Sequence, residues 1–417
     1  MTAWLAPTVD APVRATVTLP GSKSVTNRAL VLAALAERPS TVRRALRARD
    51  TLLMAAGLRA LGVAVDDTGP DWQVTPAPLS GGAEIDCGLS GTVMRFLLAV
   101  APLADGVTRF DGDAAARVRP LGDLAGALRR LGAEVDGDRL PLTVTGTGAL
   151  PGGEVTMDAS ASSQFVSALL LAGCRYDKGV TVEHVGPPLP SAPYVAMTLR
   201  MLADAGVSSE PLGATTWRVE PGRPSGAGIT VEPDLVNAIP FLAAALLTGG
   251  EVCVSDWPDQ PLQAGDGMLA VLEALGGSSE ATAGGRVVRG DALHGADLDL
   301  HDVSELVPTV AALACFADGV TRIRGVAHVR GHETDRLAAL ATALNDLGGR
   351  VAETDDGLSV EPAALHGGVF PTYGDHRLAT AGALVGLRVP GVELDDVTVT
   401  TKTLPDFPGL WRGMLGL

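Results

Sequence analysis

Two cations and several hydroxyl groups stand close together near the N-terminus of this chain, in the segment PGSKSVTNR at residues 20–28. Lys23 and Arg28 straddle the predicted start of a helix, and the apolar run that follows should fix their base. An ammonium supplies a point charge, while a guanidinium can hold phosphate or carboxylate through two hydrogen bonds. The free N–H groups of a helix N-terminus favour the same ligands. The segment therefore predicts a site for a small, multiply anionic molecule.

Other positive groups are predicted at helix starts or in polar loops, in the number that a substrate with a phosphate and carboxylates would need. They are Arg95, Arg119, Arg336, Arg377 and Lys402. Lysine is scarce, since only Lys23, Lys178 and Lys402 occur, and the first and last of these fall in Ser/Thr-rich contexts. Ion pairs within the protein are the alternative role of Arg95 and Arg336.

Candidate acid–base groups occur in the second half of the chain, at Glu305, Glu333, Asp375 and His376. Glu305 opens the run ELVPT at the mouth of an otherwise apolar helix, a position that suits a general base. Glu333 lies three residues before Arg336, so an ion pair on a helix surface is its alternative role.

A metal site is not predicted. His328 and His332 stand close together in the sequence, but the pattern HExxH is missing and no Cys/His cluster completes a ligand set.

Several function classes lack their signatures. The patterns GxxxxGK[ST], GxGxxG and GxSxG do not occur, so nucleotide binding and α/β-hydrolase chemistry are not supported. The formal charge of −16 is a poor match for nucleic acid or anionic membranes. The four cysteines are isolated and the N-terminus lacks a signal-peptide pattern, which together predict a cytoplasmic protein.

An internal repeat organises the chain. Five amphipathic stretches each end in an apolar residue and a glycine before a β-like run, as expected for a helix followed by a strand. The closing glycines, spaced by 70, 74, 70 and 72 residues, are Gly62, Gly132, Gly206, Gly276 and Gly348.

A second series of helices interleaves with the first and is apolar nearly all round, so these helices should be buried. Their first residues are Asn27, Ser90, Ser162, Asn237, Glu305 and Asp375. Six units of this length would each hold two helices and several strands. Three units per domain are predicted, with a boundary near residue 231, after the turn-rich stretch 220–228.

The predicted starts of the buried helices differ between the two halves. In the first half they carry hydroxyl donors, as in Ser22, Ser90 and Ser162, whereas in the second half they carry Asp234, Glu305 and Asp375. Each is also an ordinary N-cap residue. The pattern predicts a cleft in which donor-rich helix ends face acid-rich ones.

At these residues the chain resembles the EPSP synthase family of carboxyvinyltransferases, and the resemblance runs through most of its length. The segments that carry it are PGSKSVTNRAL, SGTVMRF, RVRPL, SSQFVSALLL, ELVPT, RGHETDRL, GDHRLA and TKTLPDFP. The resemblance implies an α/β fold, a two-domain inside-out α/β barrel in which each domain contains three βαβαββ units. It implies one domain at residues 22–231 and a second formed by residues 1–21 with 232–417.

The resemblance also implies a reaction without a cofactor. The enolpyruvyl group of phosphoenolpyruvate would pass to the 5-hydroxyl of 3-phosphoshikimate by addition and elimination of phosphate, in the shikimate pathway. The implied partners are these two small molecules, with no nucleic acid, no membrane and a monomeric enzyme.

Site roles follow from the resemblance position by position. The implied contacts to 3-phosphoshikimate are Lys23, Ser24, Arg28, Ser162, Ser163, Gln164, Ser191, Tyr194, Glu305, His328 and His332. The implied contacts to phosphoenolpyruvate are Lys23, Gly91, Arg119, Gln164, Glu333, Arg336, Arg377 and Lys402. Lys23 is also implied to be catalytic, Glu305 resembles the base for the attacking hydroxyl, and Glu333 resembles the proton donor, with His376 or Lys402 nearby.

The chain departs from the commoner family pattern at four positions. Glu305 stands where an aspartate is usual, and His332 where a lysine is frequent, so its charge would depend on pH. Leu89 and Phe96 replace a common asparagine and proline.

Two alternatives to this function are open at the level of sequence. One is enolpyruvyl transfer to UDP-N-acetylglucosamine, whose enzymes commonly carry a reactive cysteine that residues 111–120 lack. The other is a non-catalytic anion-binding protein, which would not require acid–base groups opposite the cations.

Overall fold

A computed structural model describes residues 2–226 and 228–417 of the chain. Two compact units are present: a first-half unit, Gly21–Val231, and a second-half unit, Met1–Pro20 with Glu232–Leu417. The break at Val231 lies beside the boundary predicted near residue 231, while Gly21 falls in the first-half unit. Two residues are outside the described part of the chain: Met1, and Ala227 in the turn-rich stretch 220–228.

The described strands form six sheets, three in each unit, which confirms the six repeats predicted from the sequence. In the first-half unit the strands are Ile229–Thr230, Ser40–Arg43, Trp72–Thr75 and Ala64–Asp66; Ala83–Asp86, Asp105–Asp111, Leu142–Thr147 and Glu134–Asp136; and Gly153–Met157, Val180–His184, Thr216–Val219 and Ser209–Pro211. In the second-half unit they are Gly277–Thr282, Gly285–Gly290, Glu251–Val254 and Arg14–Val17; Asp297–Asp299, Thr321–Arg324, Leu358–Glu361 and Arg350–Glu353; and Trp4–Leu5, Val392–Leu394 and Gly368–Phe370.

Each four-stranded sheet combines one parallel pair with two antiparallel pairs. In the second sheet Ala83–Asp86 runs parallel to Asp105–Asp111, which pairs antiparallel with Leu142–Thr147. A parallel pair needs a crossover, and a buried helical segment from Val93 supplies it. The order strand, helix, strand, helix, strand, strand is the βαβαββ unit.

The amphipathic helices lie where the first series predicted them. They are Arg49–Ala60, Gly122–Arg130, Pro193–Asp204, Gly265–Ala274 and Arg336–Asp346. All five closing glycines have positive φ, between 82° and 106°, a backbone conformation that residues with a Cβ rarely adopt. The glycines therefore end the helices, as their spacing predicted.

The second series forms the buried helices at the centre of each unit. They include Lys23–Ala34, Leu98–Val100, Gln164–Gly173, Leu235–Thr248, Val307–Ala314 and His376–Arg388. The other described helical segments are Val93–Leu97, Ala101–Leu103, Ala114–Arg117, His301–Leu306, Ala327–Gly331, Val397–Lys402 and Phe407–Leu415. Among the described residues, no helix is both long and apolar enough to span a bilayer.

Three of the predicted helix starts differ from the structure. The first buried helix begins at Lys23 rather than Asn27, so Lys23 and Arg28 both lie within it instead of straddling its start. After Ser90 the chain forms a π-helical turn, Val93–Leu97, rather than a uniform α-helix. Glu305 does not open an α-helix; it lies in a 3₁₀ segment, His301–Leu306, with a non-helical Val303, and the α-helix begins at Val307. Pro308 falls in the first turn of that helix, where its missing N–H is tolerated.

Each unit completes one of its sheets with a strand from a distant part of the chain. Arg14–Val17 pairs in parallel with Glu251–Val254 in the second-half unit. Ile229–Thr230 pairs in parallel with Ser40–Arg43 in the first-half unit. The first strand of the first repeat is thus supplied by the end of the third repeat, and the N-terminal strand opens the fourth.

Candidate active site

Arg28 is the most deeply buried cation of the first-half unit, with 1% of its surface exposed. Its Nε donates to Thr198 Oγ1 at 2.8 Å, Nη1 to the Ser24 carbonyl at 3.1 Å, and Nη2 to Ser167 Oγ at 3.2 Å. The guanidinium lies over the rings of Phe96 and Tyr194. Burial lowers the pKa of Arg28 to about 10, so it stays charged near neutral pH.

No carboxylate forms an ion pair with Arg28 among the described residues. Its partners are hydroxyl groups, carbonyl oxygens and aromatic faces, which orient the guanidinium without neutralising it. A buried charge without a counterion is costly, and a bound anion would remove that cost.

Gly91 is surrounded by three polar side chains. A Cβ at this position would lie 3.0 Å from Gln164 Oε1, 3.1 Å from Arg119 Nη2 and 3.1 Å from Arg95 Nη1. Arg95 Nη1 donates to Gln164 Oε1 at 2.8 Å and to Ser162 Oγ at 3.2 Å. The absence of a side chain at Gly91 lets these groups converge on the backbone of a helix start.

Arg119 is a second buried cation without a carboxylate partner. It is 7% exposed, and the one described hydrogen bond of its side chain runs from Nη1 to the Leu89 carbonyl at 3.2 Å. Its Nε has no partner among the described residues. Donors of this guanidinium are therefore available to a ligand beside Gly91.

The other predicted residues of this unit lie on the elements that hold Arg28 and Gln164. Ser163 is the N-cap of the helix Gln164–Gly173 and is 4% exposed, without a side-chain bond to that helix. Ser191 has φ of +52°, and its carbonyl accepts from the Tyr194 N–H at 3.1 Å. The Tyr194 carbonyl in turn accepts from Arg28 Nη2 at 3.2 Å.

Lys23 begins its helix, and its N-cap Ser22 accepts from the Val25 N–H at 3.5 Å. Lys23 Nζ lies 3.9 Å from Asp50 Oδ2, and the Asp50 carboxylate is buried without a hydrogen bond. At this distance the pair attracts without a direct hydrogen bond. The Lys23 side chain remains 20% exposed, so it can reach a ligand.

In the second-half unit Glu333 is held by two cations. Arg336 Nη2 donates to Glu333 Oε2 at 2.8 Å, and Lys402 Nζ donates to Glu333 Oε1. The three side chains are between 2% and 8% exposed. The predicted surface ion pair of Glu333 and Arg336 therefore exists, but it is buried and Glu333 precedes the helix that begins at Arg336.

Asp375 joins this cluster from the start of another helix. Its Oδ2 accepts from Arg336 Nε at 2.7 Å, and its Oδ1 accepts from the Arg377 N–H at 2.8 Å as an N-cap. Burial lowers the pKa of Arg336, but the Asp375 and Glu333 carboxylates outweigh it and raise that pKa above its ordinary value. The guanidinium of Arg377 has no described hydrogen bond or ion pair.

His376 is 4% exposed, and neither ring nitrogen has a hydrogen-bond partner among the described residues. Its Nδ1 is 3.6 Å from Asp375 Oδ1, beyond hydrogen-bond reach. Burial, followed by the charges of Arg377 and Lys402, holds the pKa of His376 well below its usual value. The ring is therefore neutral near neutral pH.

A row of imidazole rings lies near Glu305. The His301 and His328 ring centroids are 5.7 Å apart, and those of His328 and His332 are 6.0 Å apart. Burial lowers the pKa of His328 to about 4, although the Glu305 carboxylate opposes the shift. His332 Nδ1 is 2.9 Å from Arg336 Nη1, and an arginine can only donate, so this nitrogen accepts and carries no proton.

The structure thus gathers the predicted residues into two groups, one in each unit. The first-half group contains Lys23, Ser24, Arg28, Gly91, Arg119, Ser162, Ser163, Gln164, Ser191 and Tyr194. The second-half group contains Glu305, His328, His332, Glu333, Arg336, His376, Arg377 and Lys402. Among the described residues, no group of three or more His, Cys, Asp or Glu side chains is placed to hold a metal ion.

Sequence reasoning missed the residues that support the cations. Thr198 and Ser167 hold Arg28, and Asp50 faces Lys23, yet all three lie in helices whose apolar pattern gives no sign of a polar role. Arg95 and Asp375 were named as charged groups at helix starts, but no spacing rule connected them to Gln164 or Arg336.

Comparison with known proteins shows which family this chain matches. A family model described as EPSP synthase (3-phosphoshikimate 1-carboxyvinyltransferase) matches residues 7–411. A protein of Kocuria rhizophila named 3-phosphoshikimate 1-carboxyvinyltransferase is 54% identical over 429 residues, which cover 99% of this chain and 96% of that protein.

Solved structures with a similar fold cover nearly the whole chain. EPSP synthase from Acinetobacter baumannii matches with a TM-score of 0.81 at 24% identity, over 99% of this chain and 98% of that one. The enolpyruvyl transferase NikO from Streptomyces tendae matches with a TM-score of 0.77 at 20% identity, over 99% and 97%. These matches confirm the predicted fold class, the two-domain inside-out α/β barrel.

Proposed function

This chain belongs to the EPSP synthase family, and on that basis we propose that it transfers the carboxyvinyl group of phosphoenolpyruvate to the 5-hydroxyl of 3-phosphoshikimate. The oxygen of that hydroxyl forms a bond to C2 of phosphoenolpyruvate, while the methylene carbon gains a proton. The adduct then loses a proton from its methyl group as the bond to the phosphate oxygen breaks. The products are 5-enolpyruvylshikimate 3-phosphate and phosphate.

The observation that carries this function is the pair of buried guanidiniums, Arg28 and Arg119, that no described carboxylate neutralises. Both substrates are polyanions, so they supply the counter-charge that the protein lacks. Arg28, Ser24, Ser162, Ser163, Ser191 and Tyr194 are assigned to 3-phosphoshikimate. Arg119 and Gly91 are assigned to phosphoenolpyruvate, and Lys23 and Gln164 to both.

Proton transfer is assigned to the second-half unit. Glu305 is the base that takes the proton of the attacking hydroxyl, and His328 and His332 beside it contact 3-phosphoshikimate. Arg336 and Arg377 hold phosphoenolpyruvate, and the free donors of Arg377 support that role.

Glu333 and Lys402 together deliver the proton to the methylene carbon. Their direct hydrogen bond lets the ammonium replenish a proton that Glu333 gives up. His376 is the weaker candidate, because its lowered pKa leaves it neutral and it has no hydrogen-bonded neighbour.

A phosphate-release assay tests the reaction. The protein is mixed with 3-phosphoshikimate and phosphoenolpyruvate, without metal or nucleotide, and inorganic phosphate is measured over time. Release that requires both substrates is expected. Release with UDP-N-acetylglucosamine in place of 3-phosphoshikimate would instead move the assignment to the other enolpyruvyl transferase reaction. The absence of release with either acceptor would favour anion binding alone.

The localisation, oligomeric state and partners of the enzyme are also proposals. We infer a cytoplasmic monomer that needs no cofactor and binds neither nucleic acid nor membrane, because the charge of −16 disfavours polyanionic partners. Light scattering coupled to size exclusion, run with and without substrates, tests the monomer. A mass of twice 42.5 kDa at assay concentrations would contradict it.

A further inference from the structure

A pocket of the first-half unit lies at the C-terminal ends of its buried helices, whereas Lys23 and Gln164 lie at the N-terminal ends. Its volume is about 500 Å³, within the range of small-molecule sites. Residues at or just after three helix ends line it, including Leu35, Leu103 and Arg175. None of its lining residues belongs to the candidate active site.

The pocket combines an apolar floor with a charged rim. Leu35 and Leu103 are buried, at 4% and 8% exposure, and Leu79, which follows Pro78, is half-buried. These side chains offer an apolar surface for one hydrocarbon side chain. The rim carries two arginines and three carboxylates: Arg175, Arg223, Glu37, Asp105 and Asp177.

Opposite charges around this pocket do not neutralise one another. No ion pair joins Arg175 or Arg223 to Glu37, Asp105 or Asp177, and none of the five has any other ion pair among the described residues. The one hydrogen bond of these side chains runs from Arg175 Nη1 to the Leu35 carbonyl at 3.4 Å. Four of the five side chains are exposed and Arg175 is half-buried, so their charges lie at the solvent-facing rim of the cavity.

The two arginines of the rim, Arg175 and Arg223, lie close enough to influence each other. Burial lowers the pKa of Arg175, and the nearby charge of Arg223 lowers it further, so the two guanidiniums repel each other. A carboxylate between them would relieve that repulsion. The carboxylates and the C-terminal helix ends supply negative potential, which favours an ammonium.

We propose that this pocket binds a small zwitterion, an α-amino acid with an apolar side chain. Its carboxylate contacts Arg175 and Arg223, its ammonium faces the rim carboxylates, and its side chain packs on Leu35 and Leu103. This site goes beyond the carboxyvinyl transfer proposed above and does not depend on it, because the two sets of residues do not overlap.

The second-half unit contains a matched pocket that serves as a control. It measures about 680 Å³ and also lies at the C-terminal ends of buried helices. Arg388 Nη1 donates to the Leu247 carbonyl at 2.8 Å, as Arg175 does to Leu35. Its charged lining consists of Arg388 and Asp291 alone among the described residues, so the second arginine is missing.

Isothermal titration calorimetry of the full chain tests the proposal. L-leucine is the probe, and 3-methylbutylamine and 4-methylpentanoate are its analogues without the carboxylate or the ammonium. Saturable L-leucine binding with a Kd of about 1 mM or tighter is expected. Each analogue should bind at least about tenfold more weakly, because each loses one charge-assisted contact.

Two variants locate the binding site. Arg223→Gln should weaken L-leucine binding at least about tenfold, whereas Arg388→Gln should leave it unchanged. Unchanged phosphate release by Arg223→Gln shows that the fold is retained. No saturable heat with L-leucine would overturn the proposal, as would an analogue that binds equally well or an equal effect of the two variants.

Discussion

At the level of single residues, the buried arginines differ in whether a carboxylate of the protein pairs with them. Arg28 and Arg119 are buried cations without carboxylate partners, whereas Arg336 is surrounded by Asp375 and Glu333. The positive charges of Arg28 and Arg119 therefore remain available to an anionic ligand. The ion pair with Arg336 instead fixes the position of Glu333, a carboxylate that can exchange protons. Residue identity alone does not distinguish the two, because all three are arginines near helix starts.

Replacing the proposed base should slow the chemical step. Glu305→Gln keeps the size of the side chain but cannot accept the hydroxyl proton, so kcat should fall by roughly 10²-fold or more. The kcat of the variant is measured by steady-state phosphate release. The exposed Glu361→Gln, at the end of a strand in the same unit, is the control that should retain kcat. A kcat of Glu305→Gln close to that of the unchanged protein would refute the role.

The proton donor can be identified by comparing two buried neighbours. Lys402→Ala removes the ammonium bonded to Glu333 and should lower kcat by about 10²-fold. His376→Gln should lower it by less than about tenfold, because a neutral ring without partners contributes little. A larger loss in His376→Gln than in Lys402→Ala would assign the proton to the histidine.

His328 should make stability depend on pH. Its pKa is about 4 in the folded chain, against an ordinary value near 6.5, so the unfolded chain binds more protons between these values. This contribution is complete above about pH 6.5 and is lost as the pH falls towards 4, by at most about 3 kcal/mol. In thermal melts at pH 7 and pH 5, His328→Asn should show a smaller drop in Tm than the unchanged protein. Equal drops would contradict this.

At the scale of elements, the helix starts carry most of the candidate site, and their irregular turns adjust side-chain direction. Arg95 lies within the π-helical turn Val93–Leu97, and Glu305 within the 3₁₀ segment before Val307. An extra or a tighter turn rotates the side chains that follow, which is why such turns are frequent at functional sites. Helical periodicity predicts a helix at both places but not these turns.

A methyl group at Gly91 should disturb one substrate more than the other. In Gly91→Ala the Cβ would lie 3.0–3.1 Å from Gln164, Arg119 and Arg95, so those groups must shift. KM for phosphoenolpyruvate should rise on the order of tenfold, with KM for 3-phosphoshikimate nearly unchanged. Gly126→Ala, where the Cβ meets only Arg130 Nη1 at 3.5 Å, is the matched control. A rise confined to 3-phosphoshikimate would reverse the assignment of Gly91.

At the scale of the whole molecule, the chain passes between its two units twice, after Pro20 and after Val231. Both passages lie beside the exchanged strands, Arg14–Val17 and Ile229–Thr230, each of which completes a sheet. Each of these strands forms its backbone hydrogen bonds within its own unit. Neither unit holds all the groups that we propose for the reaction.

Binding of both substrates should therefore draw the units together. We expect the radius of gyration from small-angle scattering to fall when 3-phosphoshikimate and a non-reacting phosphoenolpyruvate analogue are both present. Inorganic phosphate alone is the control and should change it less. Identical profiles in all conditions would contradict ligand-induced closure.

The repeat, the type of most elements and the identity of the charged groups could be predicted from the order of residues alone. The closing glycines, the apolar helices and the segment around Lys23 are signals within one helix or one turn, so spacing alone reveals them. The caps Asp234 and Asp375 were predicted for the same reason, and the structure confirms both.

Which charged groups contact one another depends on the packing of the folded chain. Arg336 and Asp375 are 39 residues apart, and Lys402 and Glu333 are 69 apart, so no local spacing could pair them. The convergence on Gly91 and the exchange of first strands likewise depend on how separate repeats pack. Side-chain contacts between repeats follow from the packing of whole units, and the sequence pattern of each repeat specifies its own burial but not its neighbour.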